Sequence, residues 1–284
     1  MRDDLHASIF RPLVRQALAE DVGPGDITTR ATVPPDIKAE AVLLARARGV
    51  IAGLDVAREV FAEVDAHVEM VVLKEDAETC EPGDRIATFE GPAAGIITAE
   101  RAALNFLQYM SGIATRTREF VEASGGRIAI LDTRKTTPAL RQLAKYAVRC
   151  GGGVNHRVGL YDGILVKDNH IRIAGGIAEA VRRVRDTGTG LPIEVETENL
   201  DEVQDAIDAR VDIIMLDNLD DEMTAQAIAL IDRRAKIELS GTMTVDRVRR
   251  IAALGADFVS IGAITHSAPA LDMSLEVERL LSLA

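Results

Sequence analysis

"PIEVETENLDEVQDAIDARVDIIMLDN", residues 192–218, holds the repeat from which the fold can be read. An apolar run ends on an acid, Glu196, and gives way to LDEVQDAIDA, whose apolar positions recur at helical spacing. A second apolar run then ends on another acid, Asp217. Short apolar runs alternating with amphipathic helices predict parallel strands joined by crossover helices, because parallel neighbours cannot be linked by a tight turn. The same unit recurs on both sides, with RIAILDTRK, GILVKDNH, KIELSG and DFVSIGA as further strands and PALRQLAKYAVRC, IAEAVRRVRDTG, EMTAQAIALIDRR and TVDRVRRIAALG as further helices. The later strand ends fall about 21 to 23 residues apart, one strand and one helix each. Six strands are legible, against the eight of a closed barrel, so the pattern predicts an α/β fold of the incomplete, open-barrel type. A doubly wound open sheet is the alternative that the pattern leaves standing.

Upstream of about residue 127 the rhythm differs. Short strand candidates (Ala41–Ala45, Val68–Leu73, Arg85–Phe89) are separated by the turn signals GPGD, EPGD and EGP, which predicts an α+β domain on an antiparallel sheet. A long amphipathic helix follows from about Ile97, with Leu104, Leu107, Met110 and Ile113 on one face. The domains are accordingly set at 1–112 and 113–274, with a C-terminal helix over 275–284 that packs with the first.

Composition narrows the function classes. The chain has 284 residues, 47% hydrophobic and 27% charged, enough for a sizeable core and against global disorder. A formal net charge of −12 argues against nucleic acid as a general partner, since phosphate contacts need a basic face. Two cysteines, Cys80 and Cys150, form neither a metal spacing nor a disulfide framework, which suits a reducing compartment. The charged, helical N-terminal stretch and the lack of any apolar run of membrane-spanning length predict a soluble, cytoplasmic protein.

Within this acidic chain the segment 150–171 concentrates His156, Arg157, Lys167 and His170 with few acids. In parallel α/β folds chemistry gathers at the C-terminal strand ends. The residues there are Asp132, Arg134 and Lys135, then Lys167, Glu196, Asp217, the pair Ser240-Gly241, and Gly262-Ala263. A charge directly after buried strand residues is costly unless it is used, and four strands with one read as a site. The cations, with His156, suit carboxylates or phosphates. Glu196 and Asp217 suit a divalent metal, sugar hydroxyls, or both. The small-residue pairs at the last two strands offer bare N–H groups to a phosphate. Gly151 to Gly153 lack the spacing of a phosphate loop and read as a helix terminus with a turn. His170 and His266 have no partner at a metal-ligand spacing, Cys150 reads as packing, and Arg182, Arg183 and Arg185 read as a solvated helix face. A strand-end lysine also admits a Schiff-base aldolase, with Lys167 as nucleophile.

The segments "DTRKTTPALRQLAKYAVRCGGGVNHRVGLYDGILVKDNHI", "IEVETENLDE", "IMLDN", "LSG" and "SIGAITHSAPALDMSL" resemble the quinolinate phosphoribosyltransferase (nicotinate-nucleotide pyrophosphorylase, carboxylating) family, as do "ALAEDVGPGDITT", "ARARGVIAG" and "GPAAGIITAERAALNFLQYMSGIAT" nearer the N-terminus. Thr242 in "LSGTM" departs from the family's second small residue. The resemblance implies an N-terminal sandwich domain, an incomplete α/β barrel, and a homodimer with active sites at domain junctions between subunits. It implies a pentosyl transfer in NAD biosynthesis, in which quinolinate and phosphoribosyl pyrophosphate (PRPP) give nicotinate mononucleotide, pyrophosphate and carbon dioxide with Mg2+. By the same resemblance Arg101, Thr133, Arg134, Lys135, His156, Arg157 and Lys167 would bind quinolinate, Arg101 from the neighbouring subunit. Lys135, Lys167, Glu196, Asp217, Ser240, Gly241, Ser260, Gly262 and Ala263 would bind PRPP. Lys135, Lys167, Glu196 and Asp217 would carry the catalysis, with Glu196 and Asp217 facing the metal directly or through water. A relative with another acceptor stays open.

Overall fold

The structure is a computed structural model in which residues 5–281 are described. The chain forms two compact units, one built from residues through Arg118, Gln142–Gly152 and those from Ala268 on, the other from Glu119–Arg141 and Gly153–Ser267.

In the first unit the helices Ala7–Asp21 (α1) and Ile27–Thr32 (α2) precede the strands Lys38–Ala45 (β1) and Gly49–Val50 (β2). Helix Leu54–Val64 (α3) leads to strands Glu69–Val72 (β3), Thr79–Cys80 (β4) and Arg85–Pro92 (β5), then to helix Ala93–Ser124 (α4). The Asp26 carboxylate of GPGD caps α2 by accepting from the Thr29 N–H at 2.9 Å, so this turn signal is a helix start. At 32 residues α4 begins earlier than its sequence pattern and runs past residue 112, where a boundary was expected; the first unit continues through Arg118.

The second unit contributes Ala129–Leu131 (β6), and helix Arg141–Cys150 (α5) follows, most of it belonging to the first unit. Then come Ile164–Val166 (β7), Asp168–Ala174 (α6), Ile177–Asp186 (α7), Ile193–Thr197 (β8), Leu200–Asp208 (α8), Ile213–Asp217 (β9), Asp221–Ile231 (α9), Lys236–Ser240 (β10), Val245–Ile251 (α10), Phe258–Ser260 (β11) and Ala263–His266 (α11). The chain returns to the first unit as Met273–Leu281 (β12).

That last strand corrects the helix expected over 275–284, of which residues 282–284 lie outside the described part. Local spacing of Leu275, Leu280 and Leu281 reads as helical, but pairing decides between strand and helix. β12 lies antiparallel along all of β1, from Lys38↔Leu281 to Ala45↔Met273, and completes the sheet order β12-β1-β5-β3. Its charges meet opposite charges across the sheet: Arg279 with Glu40, Glu276 with Arg46, Glu278 with Arg85. Such cross-strand pairs are the sheet's counterpart of helical i,i+4 pairs. The segment before β12 also sets a packing demand, since a Cβ at Gly112 of α4 would stand 2.1 Å from the Pro269 carbonyl oxygen.

The second unit's sheet is six-stranded, parallel, in the order β6-β11-β10-β9-β8-β7. From β7 to β11 each strand lies beside its predecessor with no reversal of direction in the order, which excludes the doubly wound alternative. The first strand, β6, lies beside the last, β11, as in a barrel, whereas no ladder joins β6 to β7 among the described residues. At that edge β6 makes one isolated parallel bridge, Leu131↔Val154. This is an open α/β barrel. Asn199, Asp220 and Thr244 cap α8, α9 and α10 through their side chains, so helices start close behind the strand ends and keep those loops short.

Candidate active site

All six strand ends carry residues singled out in the sequence, and a cavity of about 280 Å³ is lined from five of the six strands. It is lined by Thr133, Arg134, Lys135, His156, Arg157 and Lys167, by Ser240 and Ser260, and by Leu165, Met215 and Glu238. Eight residues expected to bind substrate therefore share one cavity.

The loop that carries the cations is organised from below. Asp132, fully buried at the end of β6, accepts from the His156 N–H at 2.9 Å and from Asn155 Nδ2 at 2.7 Å. The Asp162 carboxylate turns the following residues by accepting from the N–H groups of Val158 (2.7 Å) and Gly159 (2.8 Å). Arg141 ties this loop to the one after β6, donating to the Val158 carbonyl at 3.0 Å, to Thr136 Oγ1 at 3.1 Å and to the Arg134 carbonyl at 3.3 Å. Thr265 Oγ1 donates to the Lys135 carbonyl at 2.8 Å, and the Lys135 N–H donates to Thr133 Oγ1 at 3.0 Å. Arg141 and Thr265 were not singled out in the sequence. In sequence each is an ordinary helix residue, and only the fold brings it under a cationic loop.

The electrostatics are those of an anion receptor. Burial, then the nearby Arg134 charge, lowers the Arg157 pKa from the usual guanidinium range, against the opposing pull of Glu194 and Asp162. Arg157 donates one N–H to the Gly163 carbonyl at 3.1 Å. The Arg134 Nε is buried without a hydrogen-bond partner among the described residues. A buried donor left unmade costs its full desolvation, of order 1–3 kcal/mol or more when charged, so Arg134 is set for an acceptor that the protein does not supply.

Around the cavity the acids are arranged differently. Glu196, nearly buried on β8, forms an ion pair with Lys167 Nζ. The Lys167 N–H donates to His170 Nδ1 at 2.9 Å, so His170 caps the start of α6. Asp217, at the end of β9, is the register partner of Ser240 and accepts from Asn218 Nδ2 at 2.7 Å. Gly241 has φ +116°, and a Cβ there would stand 2.5 Å from Asn218 Oδ1, so both conformation and space call for glycine. The Lys135 side chain runs over Gly262, whose Cβ would lie 3.1 Å from Lys135 Cδ. Gly262 and Ala263 begin α11, whose His266 has its Nδ1 2.6 Å from Ser267 Oγ. Thr242 is exposed, and its carbonyl accepts from Arg247 at 3.2 Å. Arg101 is exposed on α4 in the first unit and is not among the residues that line this cavity.

His156, which lines the same cavity, has both ring nitrogens engaged. Its Nδ1 accepts the Arg157 N–H at 2.7 Å, which puts the ring proton on Nε2. That nitrogen faces Glu194 at 3.2 Å and Glu238 at 3.5 Å. The imidazole thereby holds the Arg157 backbone on one side and faces two acids on the other. Glu194 and Glu238 were not singled out either, because inside IEVET and KIELS they pass as the polar half of a strand's alternation.

An open barrel whose strand ends converge arginines and lysines on one cavity, with carboxylates beside it, belongs to the barrel enzymes that handle anionic substrates. The comparisons narrow this. Residues 26–111 match the model of the quinolinate phosphoribosyl transferase N-terminal domain and residues 113–276 that of the C-terminal domain. The chain is similar to the nicotinate-nucleotide pyrophosphorylase [carboxylating], chloroplastic, of Oryza sativa subsp. japonica, 41% identical over 96% of this chain and 79% of the relative. Among solved structures it is similar to the nicotinate-nucleotide pyrophosphorylase from Francisella tularensis, with TM-score 0.94, 41% identity and 98% and 99% of the two chains covered. NadC from Streptococcus pyogenes is similar too, with TM-score 0.94 and 42% identity over 99% of each chain. The chain belongs to the quinolinate phosphoribosyltransferase family.

Proposed function

We propose that the cavity binds quinolinate and PRPP and carries out the family's reaction, phosphoribosyl transfer with decarboxylation to nicotinate mononucleotide, pyrophosphate and carbon dioxide in NAD biosynthesis. The observation that carries this reading is the unsatisfied Arg134 Nε inside a cavity where Arg157, Lys135 and Lys167 also converge. Two ring carboxylates supply the acceptors that such a set requires. Thr133, Arg134 and Arg157 hold the acceptor, with His156 bracing Arg157. Lys135 and Lys167 stand towards the donor. Glu196 and Asp217 face the ribose hydroxyls, and Ser240, Gly241, Ser260, Gly262 and Ala263 the 5′-phosphate.

The pyridine nitrogen attacks the ribose C1 as the C1–O bond to pyrophosphate breaks. Charge builds on the ribose as an oxocarbenium, and the nearby carboxylates stabilise it without reorganising. Lysine charge balances the leaving pyrophosphate. Once ribosylated, the ring nitrogen is cationic and stabilises the carbanion left at C2 when carbon dioxide departs; that carbanion takes a proton from water to give nicotinate mononucleotide, so the protein's share is mainly positioning. Asp217, with one protein partner described, and Glu196, tied to Lys167, give a sparse hard-oxygen donor set. That suits Mg2+ held largely by water and the diphosphate, where it would neutralise leaving-group charge. The same reading extends to a cytoplasmic homodimer in which Arg101 reaches the partner subunit's acceptor site. The burial of both cysteines, Cys80 and Cys150, accords with a reducing compartment. The Schiff-base alternative needs cations around Lys167 Nζ, whereas its ion-pair partner is the carboxylate of Glu196.

The Arg134→Ala and Arg134→Lys variants test the reading. Losing a buried charged donor costs about 2–5 kcal/mol, so Arg134→Ala should weaken quinolinate binding by at least about thirtyfold. Arg134→Lys keeps the charge without the fork and should fall between. Quinolinate binding unchanged in Arg134→Ala by calorimetry would refute the assignment.

A further inference from the structure

The floor of the cavity is acidic, which is unexpected for a site that takes a dianion. Glu238, on β10, lines the cavity, is 1% exposed, and has an Oε1 without a hydrogen-bond partner among the described residues. Its other oxygen lies 3.5 Å from His156 Nε2. Glu194 of β8 lies 3.2 Å from the same nitrogen, so two buried carboxyl groups share one ring N–H. Ionised together, they would put two like charges against one ring nitrogen, and a close pair of carboxyl groups in a dry site keeps one proton.

We propose that Glu238 serves the acceptor subsite as a neutral carboxylic acid, donating a hydrogen bond from its free carboxyl edge to a carboxylate of the bound pyridine dicarboxylate. The inference rests on the functional reading above and adds to it a specificity-determining residue. The groups facing Glu238 are Glu194 from β8, His156 from the loop before β7, Ser260 from β11 and the uncharged Met215 from β9, with Arg134, Lys135, Arg157 and Lys167 around the cavity. Burial first, then the Glu194 charge, pushes the Glu238 carboxyl up to about 8, with a hydrogen bond between the two carboxyl groups adding to it, while His156 and Ser260 pull it down. The acid is therefore protonated at neutral pH and loses its proton as the pH rises through that value. Ionised, it repels the dianion instead of donating to it. If only the protonated form binds, affinity falls about tenfold for each pH unit above 8, or roughly thirtyfold by pH 9.5.

Quinolinate and PRPP binding to the whole enzyme, measured by calorimetry from pH 6.5 to 9.5, tests this without any variant. Quinolinate affinity should hold to about pH 8 and then drop, with PRPP affinity changing far less. In Glu238→Gln, which keeps a donor and cannot ionise, quinolinate affinity at pH 7 should stay within a few-fold of wild type and the alkaline drop should vanish. Glu238→Leu should bind weakly at every pH. An infrared band of a buried carboxylic acid, present in wild type at pH 7 and missing in Glu238→Gln, would be the direct signature. An alkaline drop that persists in Glu238→Gln, or a wild-type affinity flat to pH 9.5, overturns the role of Glu238 alone. A wild type that binds no quinolinate at any pH brings down the functional reading, and the inference with it.

Discussion

Glu196 and Asp217 share one proposed role and differ in circumstance. One is nearly buried and ion-paired with Lys167; the other is half-exposed and accepts from Asn218. Neither lines the acceptor cavity, whose cations belong to other strand ends. Substitutions that remove their charge but keep their shape should therefore separate chemistry from acceptor binding. Glu196→Gln and Asp217→Asn are each expected to lower turnover by about a hundredfold or more, the scale of losing one preorganised electrostatic contact in a transition state. Quinolinate affinity by calorimetry should stay within a few-fold of wild type. Loss of quinolinate binding, with circular dichroism unchanged, would mean that these acids serve the acceptor. The sequence already marked both acids, since a carboxylate that ends an apolar strand has few idle uses. It did not mark Glu238, because one charged residue in the middle of KIELS looks like the solvent face of a strand until the barrel turns that face inward.

At the scale of elements, what was legible depended on how local the cause was. The six barrel strands stand where the apolar runs placed them, because each is a short continuous run followed by its own helix. β12 was not legible. Its ladder to β1 joins residues more than two hundred positions apart, and the ion pairs that favour it exist only once that ladder forms. The loop between β10 and α10 shows the opposite case, where a local rule has a functional reading. Gly241 holds φ +116° beside Asn218, itself at φ +56°. Gly241→Ala forces an L side chain into that region, costing about 1–3 kcal/mol of stability by strain, and drives its Cβ against Asn218 Oδ1. If this loop cradles the donor's phosphate, the KM for PRPP should rise at least tenfold while quinolinate binding changes little. A KM for PRPP equal to wild type, in a variant with the expected loss of thermal stability, would remove the loop from the phosphate site.

For the whole molecule, the charge balance and the site point in opposite directions. A chain of net charge −12 concentrates Arg134, Lys135, Arg157 and Lys167 on one cavity, and local charge of that sign attracts anionic ligands. We propose that this cavity reads two carboxylates on one ring. It is tested most directly by pyrophosphate release from PRPP with quinolinate, with nicotinate and with no acceptor. Quinolinate should support turnover, nicotinate should be slower by roughly a thousandfold or more because it leaves buried cations without their second partner, and release without acceptor should be negligible. Comparable release with nicotinate, or release that needs no acceptor, would contradict the account.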